Sequence, residues 1–368
     1  MKDFIFNIPT KIIFGNGKIA QLKEYLGPEI NRVLVVTDKN VARESGALDK
    51  ILSQLGGKII SLFDEVKENP PLGQVKKGGE LAKEKDVQLV IGLGGGSSMD
   101  AAKGCAVLAT NPGNMIDYMN GKPLTHEPLP VVCIPTSSGT GSEVTPYAVF
   151  TDPENESKGG FSHPGIFPRF SIIDPELTYS MPEGVVISTG LDVLTHSLEA
   201  YLSTEAYELN DVLALHSIEV VLESLEAASK KDKEAMGRMS YASMLAGIAI
   251  TNAGTILLHI MAYPLTVFHK VPHGKANAVL LPAFLRFMKE RSVVKEKVDR
   301  LEKMFERVGG IKDFINNLKI STALSSYGVD KSQLELFAQK TIIKSDIGIT
   351  PAEITVTDII NIYLSTWS

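Results

Sequence analysis

The feature that most constrains the fold is a regular alternation of strand-like and helix-like segments that ends near residue 178. Continuous apolar, β-branched runs lie at 33–38, 58–63, 88–92 and 131–135, with helical spacing between them. Such runs are typical of strands covered on both faces, and their alternation with helices predicts a parallel sheet. Beyond residue 178 the spacing predicts helices, at 188–203, 210–229, 233–249 and 277–290. We therefore predict two domains, an α/β domain over 1–178 and an all-helical domain over 179–368.

Charge and cysteine content argue against two broad classes of protein. The 368 residues include 37 Lys plus Arg and 43 Asp plus Glu, a net charge of −6, whereas a general nucleic-acid binder needs a basic footprint. The 2 cysteines, Cys105 and Cys133, lie in apolar runs and cannot form a disulfide framework, so we expect buried thiols in a reducing compartment. The N-terminal segment carries an acid at Asp3 and no long apolar run, which predicts no signal peptide and a cytoplasmic location.

One long uncharged stretch allows two interpretations. Residues 239–269 contain no Asp, Glu, Lys or Arg, as a membrane helix would. Polar or helix-breaking residues interrupt the apolar run, however: Thr251, Asn252, Gly254, Thr255, His259 and Pro264. We therefore predict a buried helix pair and no membrane segment, and the polar side chains inside it need a specific reason.

A glycine cluster follows the third apolar run. Residues 91–100 read Ile-Gly-Leu-Gly-Gly-Gly-Ser-Ser-Met-Asp and join a predicted strand to a predicted helix. Glycines let the backbone approach a ligand closely, and the amides of a helix N-terminus attract anions such as phosphates. The spacing of Ser97 and Asp100 resembles a capping box, although that motif prefers Glu or Gln at its third position. Because the glycine spacing is not a strict dinucleotide fingerprint, a tight strand–helix turn without a ligand stays an alternative.

A second loop, rich in hydroxyls and glycines, follows the fourth run. Residues 135–143 read Pro-Thr-Ser-Ser-Gly-Thr-Gly-Ser-Glu. Two such loops at the carboxyl ends of neighbouring strands would form a crevice for phosphates and a polar ring, whereas one alone could serve local hydrogen bonds. Asp38, at the end of the run 33–38, could bind a ribose 2′-hydroxyl and repel a 2′-phosphate, or could cap the next helix. The spacing leaves both roles of Asp38 open.

Polar side chains in the apolar second half indicate a metal site. Asp192 and His196 are four residues apart on a predicted helix and therefore share a face. His259 lies in the uncharged stretch, and His273 lies in a predicted helix-breaking turn at 271–274. An unpaired buried polar group costs on the order of a few kcal/mol, and one divalent cation would satisfy these groups together. A carboxylate with imidazoles suits Zn²⁺ or Fe²⁺, while ordinary hydrogen bonds in the core remain the alternative for each residue.

Five motifs, in order, resemble those of the iron-containing alcohol dehydrogenase family over nearly the whole chain. They are Gly94-Gly95-Gly96-Ser97-x-x-Asp100-x-x-Lys103, Pro135-Thr136-x-x-Gly139-Thr140-Gly141-Ser142-Glu143-Val144-Thr145, Gly190-x-Asp192-x-x-x-His196, His259-x-x-x-Tyr263-Pro264-Leu265 and Pro272-His273-Gly274-x-x-Asn277. The resemblance implies an N-terminal Rossmann-like domain with a parallel sheet and a C-terminal helical domain, a dehydroquinate synthase-like fold. It also implies that the N-terminal domain binds a dinucleotide and the helical domain a metal.

The resemblance further implies which residues form the two sites. The metal ligands would be Asp192, His196, His259 and His273, with iron as the usual metal and zinc as the alternative. The cofactor-binding residues would be Asp38, Gly94, Gly95, Gly96, Ser97, Asp100, Thr136, Ser137, Thr140, Ser142, Lys158 and Leu177. Family members with Asp at the position of Asp38 tend to use NAD, and those with Gly there tend to use NADP, so we predict NAD.

One position departs from the family pattern. Many members have a second histidine four residues after the third ligand, where it is thought to relay a proton, and here that residue is Tyr263. A phenol has a reference pKa of about 10, which suits a general base poorly at neutral pH. We therefore expect solvent or the ribose hydroxyls of the cofactor to carry the proton, and Tyr263 to line the pocket.

The function that these expectations favour is hydride transfer between NAD(H) and a small neutral primary alcohol, diol or aldehyde. The metal would act as a Lewis acid and the dinucleotide as hydride carrier, in a cleft between the domains. We expect mostly apolar cleft walls, from Tyr147, Phe150, Ile250 and Gly254, which suit an uncharged substrate. The alternatives are an enzyme similar to glycerol dehydrogenase or to 3-dehydroquinate synthase, and a cofactor-binding protein whose catalysis has lapsed. The family also favours a homodimer.

Overall fold

A parallel sheet organises one compact unit, residues 8–181. The computed structural model describes residues 2–368. The strands of this sheet are β1 (Lys11–Phe14), β2 (Arg32–Asp38), β3 (Ile59–Val66), β4 (Leu89–Gly94), β5 (Val131–Pro135) and β8 (Phe170–Ile173). Between β5 and β8, a separate antiparallel hairpin is formed by β6 (Tyr147–Asp152) and β7 (Ser157–Ser162). The order across the sheet is β1-β8-β5-β4-β2-β3, and these pairings are parallel. The predicted parallel sheet is therefore confirmed.

Helices cover both faces of this sheet, which explains the unbroken apolar runs of its central strands. Val33 and Val35 of β2 pack in one buried cluster, whereas Leu34 and Val36 pack in another on the opposite face. The helices of the unit are α1 (Leu22–Tyr25), α2 (Val41–Glu44), α3 (Ala47–Gln54), α4 (Leu72–Glu84), α5 (Gly96–Thr110) and α6 (Met115–Met119), with 3-10 turns at Lys18–Gln21, Ser142–Val144, Pro164–Ile166 and Pro175–Thr178.

The second compact unit is helical and comprises 182–368 together with the N-terminal segment up to Asn7. Its helices are α7 (Glu183–Leu202), α8 (Glu208–Ser229), α9 (Lys233–Ala253), α10 (Leu257–His269), α11 (His273–Arg291), α12 (Lys295–Glu306), α13 (Ile311–Asn317), α14 (Leu334–Ile342) and α15 (Val356–Ser365), with 3-10 turns at Leu324–Tyr327, Lys331–Gln333 and Ser345–Ile349. The division between the units falls at 181/182, and the turn at Pro175–Thr178 packs with the sheet through Leu177.

The uncharged stretch 239–269 forms most of α9 and all of α10. No single helix within residues 2–368 is long and apolar enough to cross a membrane, although α9 and α10 together, with a bend of 113° between them, reach that length and apolar content. Their apolar side chains are buried within the helical unit, as at Ala246, Leu258 and Met261, each 0% exposed. The prediction of a buried helix pair is confirmed.

The predicted turn around His273 is wrong in one respect. His273 is the first residue of α11, and Pro272 is its N-cap with an extended ψ of 136°. A proline at a helix start lacks an N–H that the helix does not use there, so the proline begins this helix instead of breaking it.

Candidate metal and dinucleotide sites

Asp192 and His196 lie one turn apart on α7, a helix that is buried along most of its length. Their exposed fractions are 4% and 7%, so a carboxylate and an imidazole occupy an interior face. An isolated ionised carboxylate in such a place is strongly disfavoured unless it is paired or coordinates a cation. The two side chains therefore require further partners from neighbouring helices.

Two histidines from other helices supply those partners. Nε2 of His259, in the first turn of α10, lies 3.6 Å from Oδ1 of Asp192, and Nε2 of His273 lies 4.0 Å from the same oxygen. The His259 ring is 4.4 Å from the ring of His196 and 5.2 Å from that of His273, measured between centroids. Ligand atoms of Asp192, His196 and His259 all lie within 4.8 Å of one another. The structure thus brings together the four residues predicted as metal ligands.

Close packing of two helices holds this arrangement in place. A Cβ atom at Gly274 would lie 1.8 Å from the backbone oxygen of Ser188 and 2.9 Å from the backbone nitrogen of Asp192. The start of α11 therefore touches the turn of α7 that carries Asp192, which fixes His273 beside that carboxylate. A side chain at position 274 has no room, so glycine is required by the close approach of the two backbones.

The electrostatics of the cluster favour a positive charge at its centre. Burial alone would raise the pKa of Asp192, but the neighbouring charge of His196 and the hydrogen bond from His259 hold it well below its ordinary value. Burial would lower the pKa of His259, yet the carboxylates of Glu199 and Asp192 raise it to about 9. A site that favours a proton at neutral pH in this way favours a cation by the same attraction.

The donor set fits a divalent metal. Two ligand atoms, each about 2.1 Å from one ion, lie about 3.4 Å apart in a tetrahedral arrangement and at most about 4.2 Å apart. The separations of 3.6 and 4.0 Å fall in this range. Asn277, fully buried next to Asp192 and His259, has an Oδ1 without a hydrogen-bond partner among residues 2–368, and such groups are rare in an interior that holds no ion or water.

Glu199, for which the sequence predicts no role, joins this cluster. Its side chain is completely buried, and one carboxylate oxygen contacts Nδ1 of His259. Glu199 follows Asp192 by seven residues and His196 by three, a spacing that places all of them on one face of α7. That periodicity was the available signal.

The predicted dinucleotide residues gather at one edge of the sheet. The strands β2, β4 and β5 are neighbours, and they end at Asp38, Gly94 and Pro135. The backbone N–H of Thr136 donates to the oxygen of Gly94 at 2.9 Å, and a Cβ at Gly96 would lie 2.5 Å from Cγ2 of Thr140. The two loops therefore touch, at the carboxyl ends of parallel strands where open α/β sheets bind their ligands.

The two carboxylate oxygens of Asp38 have different surroundings. One binds the backbone at the start of α2, and the other faces the glycine loop. The N-cap of α2 is Asn40, and Oδ1 of Asp38 accepts hydrogen bonds from the backbone N–H groups of Asn40 and Val41 at 2.9 and 2.5 Å, at the start of this helix. Oδ2 of Asp38 lies 3.6 Å from the position that a Cβ of Gly94 would take. The carboxylate thus faces the glycine loop with one oxygen while the other binds the backbone at the start of α2.

Asp100 and Ser142 belong to a buried network around Lys103. The Lys103 ammonium, 0% exposed, donates to the backbone oxygens of Ser142, Thr145 and Tyr147 at 2.7 to 2.9 Å. Ser142 Oγ donates to Oδ1 of Asp100 at 2.7 Å, and Oδ2 of Asp100 accepts from the backbone N–H of Val149. The spacing of Ser97 and Asp100, which resembles a capping box, forms none, because α5 begins at Gly96 with Gly95 as N-cap, and Asp100 instead binds Ser142 of the second loop.

Two further predicted cofactor residues, Lys158 and Leu177, lie outside the two loops. Lys158 of β7 donates to Oδ1 of Asn69 at 2.8 Å, and the backbone N–H of Asn69 donates to Oγ of Ser97, so Lys158 is linked to the glycine loop. The Leu177 side chain, 1% exposed, packs in a core cluster of the sheet. Phe150, expected as a cleft wall, is wrong in that role because it is fully buried in a cluster with α4 and α5.

Tyr263 lies next to the metal-ligand cluster, one turn after His259 on α10. Its ring stacks on the ring of His273 with a centroid separation of 5.6 Å and an interplanar angle of 29°. It is half-buried, unlike the fully enclosed His259. Tyr263 therefore lies beside the predicted ligands, and its role in lining a pocket stays a prediction.

Both units match known proteins. The family model of the iron-containing alcohol dehydrogenases matches residues 9–175, and the model of the C-terminal domain of Fe-containing alcohol dehydrogenases matches residues 186–367. Lactaldehyde reductase of Escherichia coli (strain K12) is 30% identical over 371 residues, covering 96% of this chain and 97% of that protein.

Solved structures agree with this result. An iron-containing alcohol dehydrogenase from Thermotoga maritima has a TM-score of 0.91 and 36% identity, with 99% of each chain covered. A sulfoacetaldehyde reductase from Bifidobacterium kashiwanohense, solved in complex with NAD+, has a TM-score of 0.90 and 28% identity, covering 100% of both chains. The chain therefore belongs to the iron-containing alcohol dehydrogenase family and is an oxidoreductase that acts on CH–OH groups.

Proposed function

We propose that this enzyme transfers hydride between NAD(H) and a small neutral alcohol, diol or aldehyde, with one divalent metal, iron in the native enzyme, held by Asp192, His196, His259 and His273. The observation that carries the proposal is the convergence of these side chains from α7, α10 and α11, with Nε2 atoms of two histidines at 3.6 and 4.0 Å from one oxygen of Asp192. When bound, the ion would supply a Lewis acid that lowers the pKa of an alcohol hydroxyl and polarises a carbonyl.

The protein side chains orient the site. Asp192 provides negative charge where a cation is needed, and Asn277 donates from Nδ2 to Oδ1 of Asp192 at 3.1 Å, which fixes the carboxylate plane. Tyr263 beside His273 would bound the substrate pocket. Because a phenol stands here where many family members have a histidine, solvent or ribose hydroxyls would carry the proton, and Tyr263 would have no acid–base role.

The carboxyl edge of the sheet would hold the dinucleotide. The backbone at Gly94, Gly95, Gly96 and Ser97 would receive the pyrophosphate at the N-terminus of α5, where helix amides favour anions. Oδ2 of Asp38 would accept from a ribose 2′-hydroxyl and repel a 2′-phosphate, which favours NAD over NADP. Thr136, Ser137 and Thr140 would contact the nicotinamide side, while Asp100, Ser142 and Lys158 would help to hold the two loops in place through their hydrogen bonds.

A panel assay tests the proposal. The purified protein is given NADH or NADPH with small neutral aldehydes, and NAD+ with the matching alcohols and with a hydroxy acid, while bound metal is quantified. We expect turnover with the neutral compounds, preference for NADH and one metal per chain. Asp192→Ala should lose turnover by several orders of magnitude and still bind NADH, whereas His216→Ala, at an exposed histidine of α8, should behave as wild type. Activity of Asp192→Ala that survives a chelator would show that the metal role is wrong.

A further inference from the structure

Glu199 is a buried carboxylate whose two oxygens serve two different elements. It lies on α7 three residues after His196, and its side chain is 0% exposed. Oε1 accepts hydrogen bonds from the backbone N–H groups of Ile256 and His259 at 2.9 and 3.2 Å. Oε2 contacts Nδ1 of the His259 ring. A buried charge with these contacts has a specific purpose, because burying it without partners would be costly.

The first oxygen completes the start of α10. The first backbone N–H groups of a helix have no partner within the helix, and a side-chain oxygen normally supplies one. The N-cap of α10 is Ile256, whose aliphatic side chain offers no oxygen. Glu199 therefore caps α10 from another helix, and it fixes the backbone of His259, which is the third residue of α10.

The second oxygen determines which ring nitrogen of His259 carries the proton. A carboxylate only accepts hydrogen bonds, so Nδ1 must be the donor, and in the neutral ring, the form that binds a metal, the lone pair then lies on Nε2. Nε2 is the atom that faces the other ligands, at 3.6 Å from Oδ1 of Asp192. Nδ2 of Asn277, a hydrogen-bond donor, lies 3.2 Å from the same Nε2 and requires the same arrangement.

We propose that Glu199 is a positioning residue that holds His259 in the one tautomer and ring orientation in which Nε2 can bind the metal. The inference rests on the proposed function, because it assumes that His259 is a ligand. Glu199 would thereby strengthen metal binding through His259, without being a ligand itself. Outer-shell partners of this kind typically change metal affinity by about 10- to 100-fold.

A single isosteric change separates the two roles of Glu199. In Glu199→Gln, the amide oxygen would take the place of Oε1, since two backbone N–H groups point at it. The amide NH₂ would then face Nδ1, so Nδ1 must accept and the proton must move to Nε2, where it blocks the metal. The cap of α10 survives in this variant, whereas Glu199→Ala removes the cap and the tautomer control together.

The test measures Zn²⁺ affinity of the full-length protein by competition with a chromophoric chelator, and thermal unfolding of the metal-free protein. We expect Glu199→Gln to weaken Zn²⁺ binding at least about 10-fold, with the metal-free melting temperature close to that of wild type. Glu199→Ala should lose both. Glu223→Gln, the same substitution at an exposed residue of α8, should change neither.

A double-mutant cycle decides whether Glu199 acts through His259. In a His259→Ala background, Glu199→Gln should cause no further loss of Zn²⁺ affinity, because the group that it controls is gone. An equal loss in both backgrounds would overturn the inference, as would wild-type affinity in the single variant. A Glu199→Gln protein that unfolds as early as Glu199→Ala would reduce Glu199 to a structural cap. Failure of the wild-type protein to bind Zn²⁺ would instead sink the proposed function itself.

Discussion

Gly274 shows how one residue without a side chain positions a ligand. A Cβ there would overlap the backbone oxygen of Ser188, and backbone atoms cannot move aside as a flexible side chain does. We expect Gly274→Ala to displace the start of α11 and with it His273, lowering Zn²⁺ affinity by at least about 10-fold and stability by about 1–3 kcal/mol. Chelator competition and urea unfolding measure the two effects. Gly184→Ala, in the first turn of α7 where a Cβ meets nothing within 4 Å, is the matched control.

The carboxylate of Asp38 is proposed to favour NAD(H) over NADP(H), and one substitution tests this role. Asp38→Asn keeps an oxygen to accept from the N–H groups of Asn40 and Val41 and removes the negative charge that faces Gly94. We expect the ratio of kcat/KM for NADPH to that for NADH to rise by about 10-fold or more, because repulsion of a 2′-phosphate is gone. Asp49→Asn on α3 should leave this ratio unchanged. A ratio that does not move in Asp38→Asn would show that this carboxylate does not select the cofactor.

Tyr263 tests where the proton goes. If solvent or the cofactor ribose carries it, Tyr263→Phe should keep kcat within a few-fold of wild type, with the pH profile of kcat unchanged, because the phenol hydroxyl takes no part in proton transfer. KM for the substrate should move more than kcat, since the ring beside His273 bounds the pocket. Steady-state kinetics across pH measure both. A loss of the order of 100-fold in kcat would give the phenol an acid–base role.

At the scale of elements, the loop after β5 carries a buried carboxyl group, Glu143, close to Lys103 of α5. Its burial predicts that the stability of the protein depends on pH. Burial raises the pKa of Glu143 to about 7 from an ordinary 4.5, although a backbone hydrogen bond and Lys103 both lower it. Below about pH 4.5 the group is protonated in both states. As the pH rises the unfolded chain ionises first, so the free energy of unfolding falls until the pH passes about 7, by about 3 kcal/mol in all.

Replacing Glu143 by Gln should remove this loss. We expect the stability of Glu143→Gln relative to wild type to increase by up to about 3 kcal/mol between about pH 5 and about pH 8, as measured by urea unfolding. Glu127→Gln, at an exposed position, should show no such trend. A difference that shrinks as the pH rises would mean that Glu143 is ionised and well paired in the folded protein.

Elements with a strong local pattern were predictable, and those defined by distant partners were not. The runs of β2, β4 and β5 and the spacing of Asp192 and His196 are local signals, and the structure contains the corresponding strands and helical face. The β6–β7 hairpin was missed because β7 contains Gly159 and Gly160, which weaken a strand pattern. The role of Glu199 was missed because its partners belong to α10, more than fifty residues along the chain. Spacing along the chain does not link His259 and His273 to α7, and their shared site was predicted from the apolar surroundings of these polar residues and from the family resemblance.

At the scale of the whole molecule, the N-terminal segment belongs to the helical unit, which its sequence alone does not indicate. Phe4 stacks on Tyr207 with ring centroids 4.2 Å apart, and Nζ of Lys2 donates to the backbone oxygen of Thr204 at 2.7 Å. These contacts attach the start of the chain to the helical unit, whereas the sequence predicts residues 1–7 within the α/β domain. A short segment without periodicity carries no signal of the surface on which it packs.

Zn²⁺ and NAD+ should slow amide hydrogen exchange in different segments, because the residues proposed to bind each of them belong to one unit. Zn²⁺ added to the metal-free protein should slow amide exchange in α7, α10 and α11, since their ligands then share one ion and local opening costs the binding free energy. NAD+ added to the metal-free protein should slow exchange at 94–97 and 136–142 instead. Hydrogen exchange read by mass spectrometry on the full chain resolves these segments. Protection by Zn²⁺ that misses all three helices would contradict the assigned ligands, and the metal-free Asp192→Ala protein, which should respond to NAD+ alone, is the control.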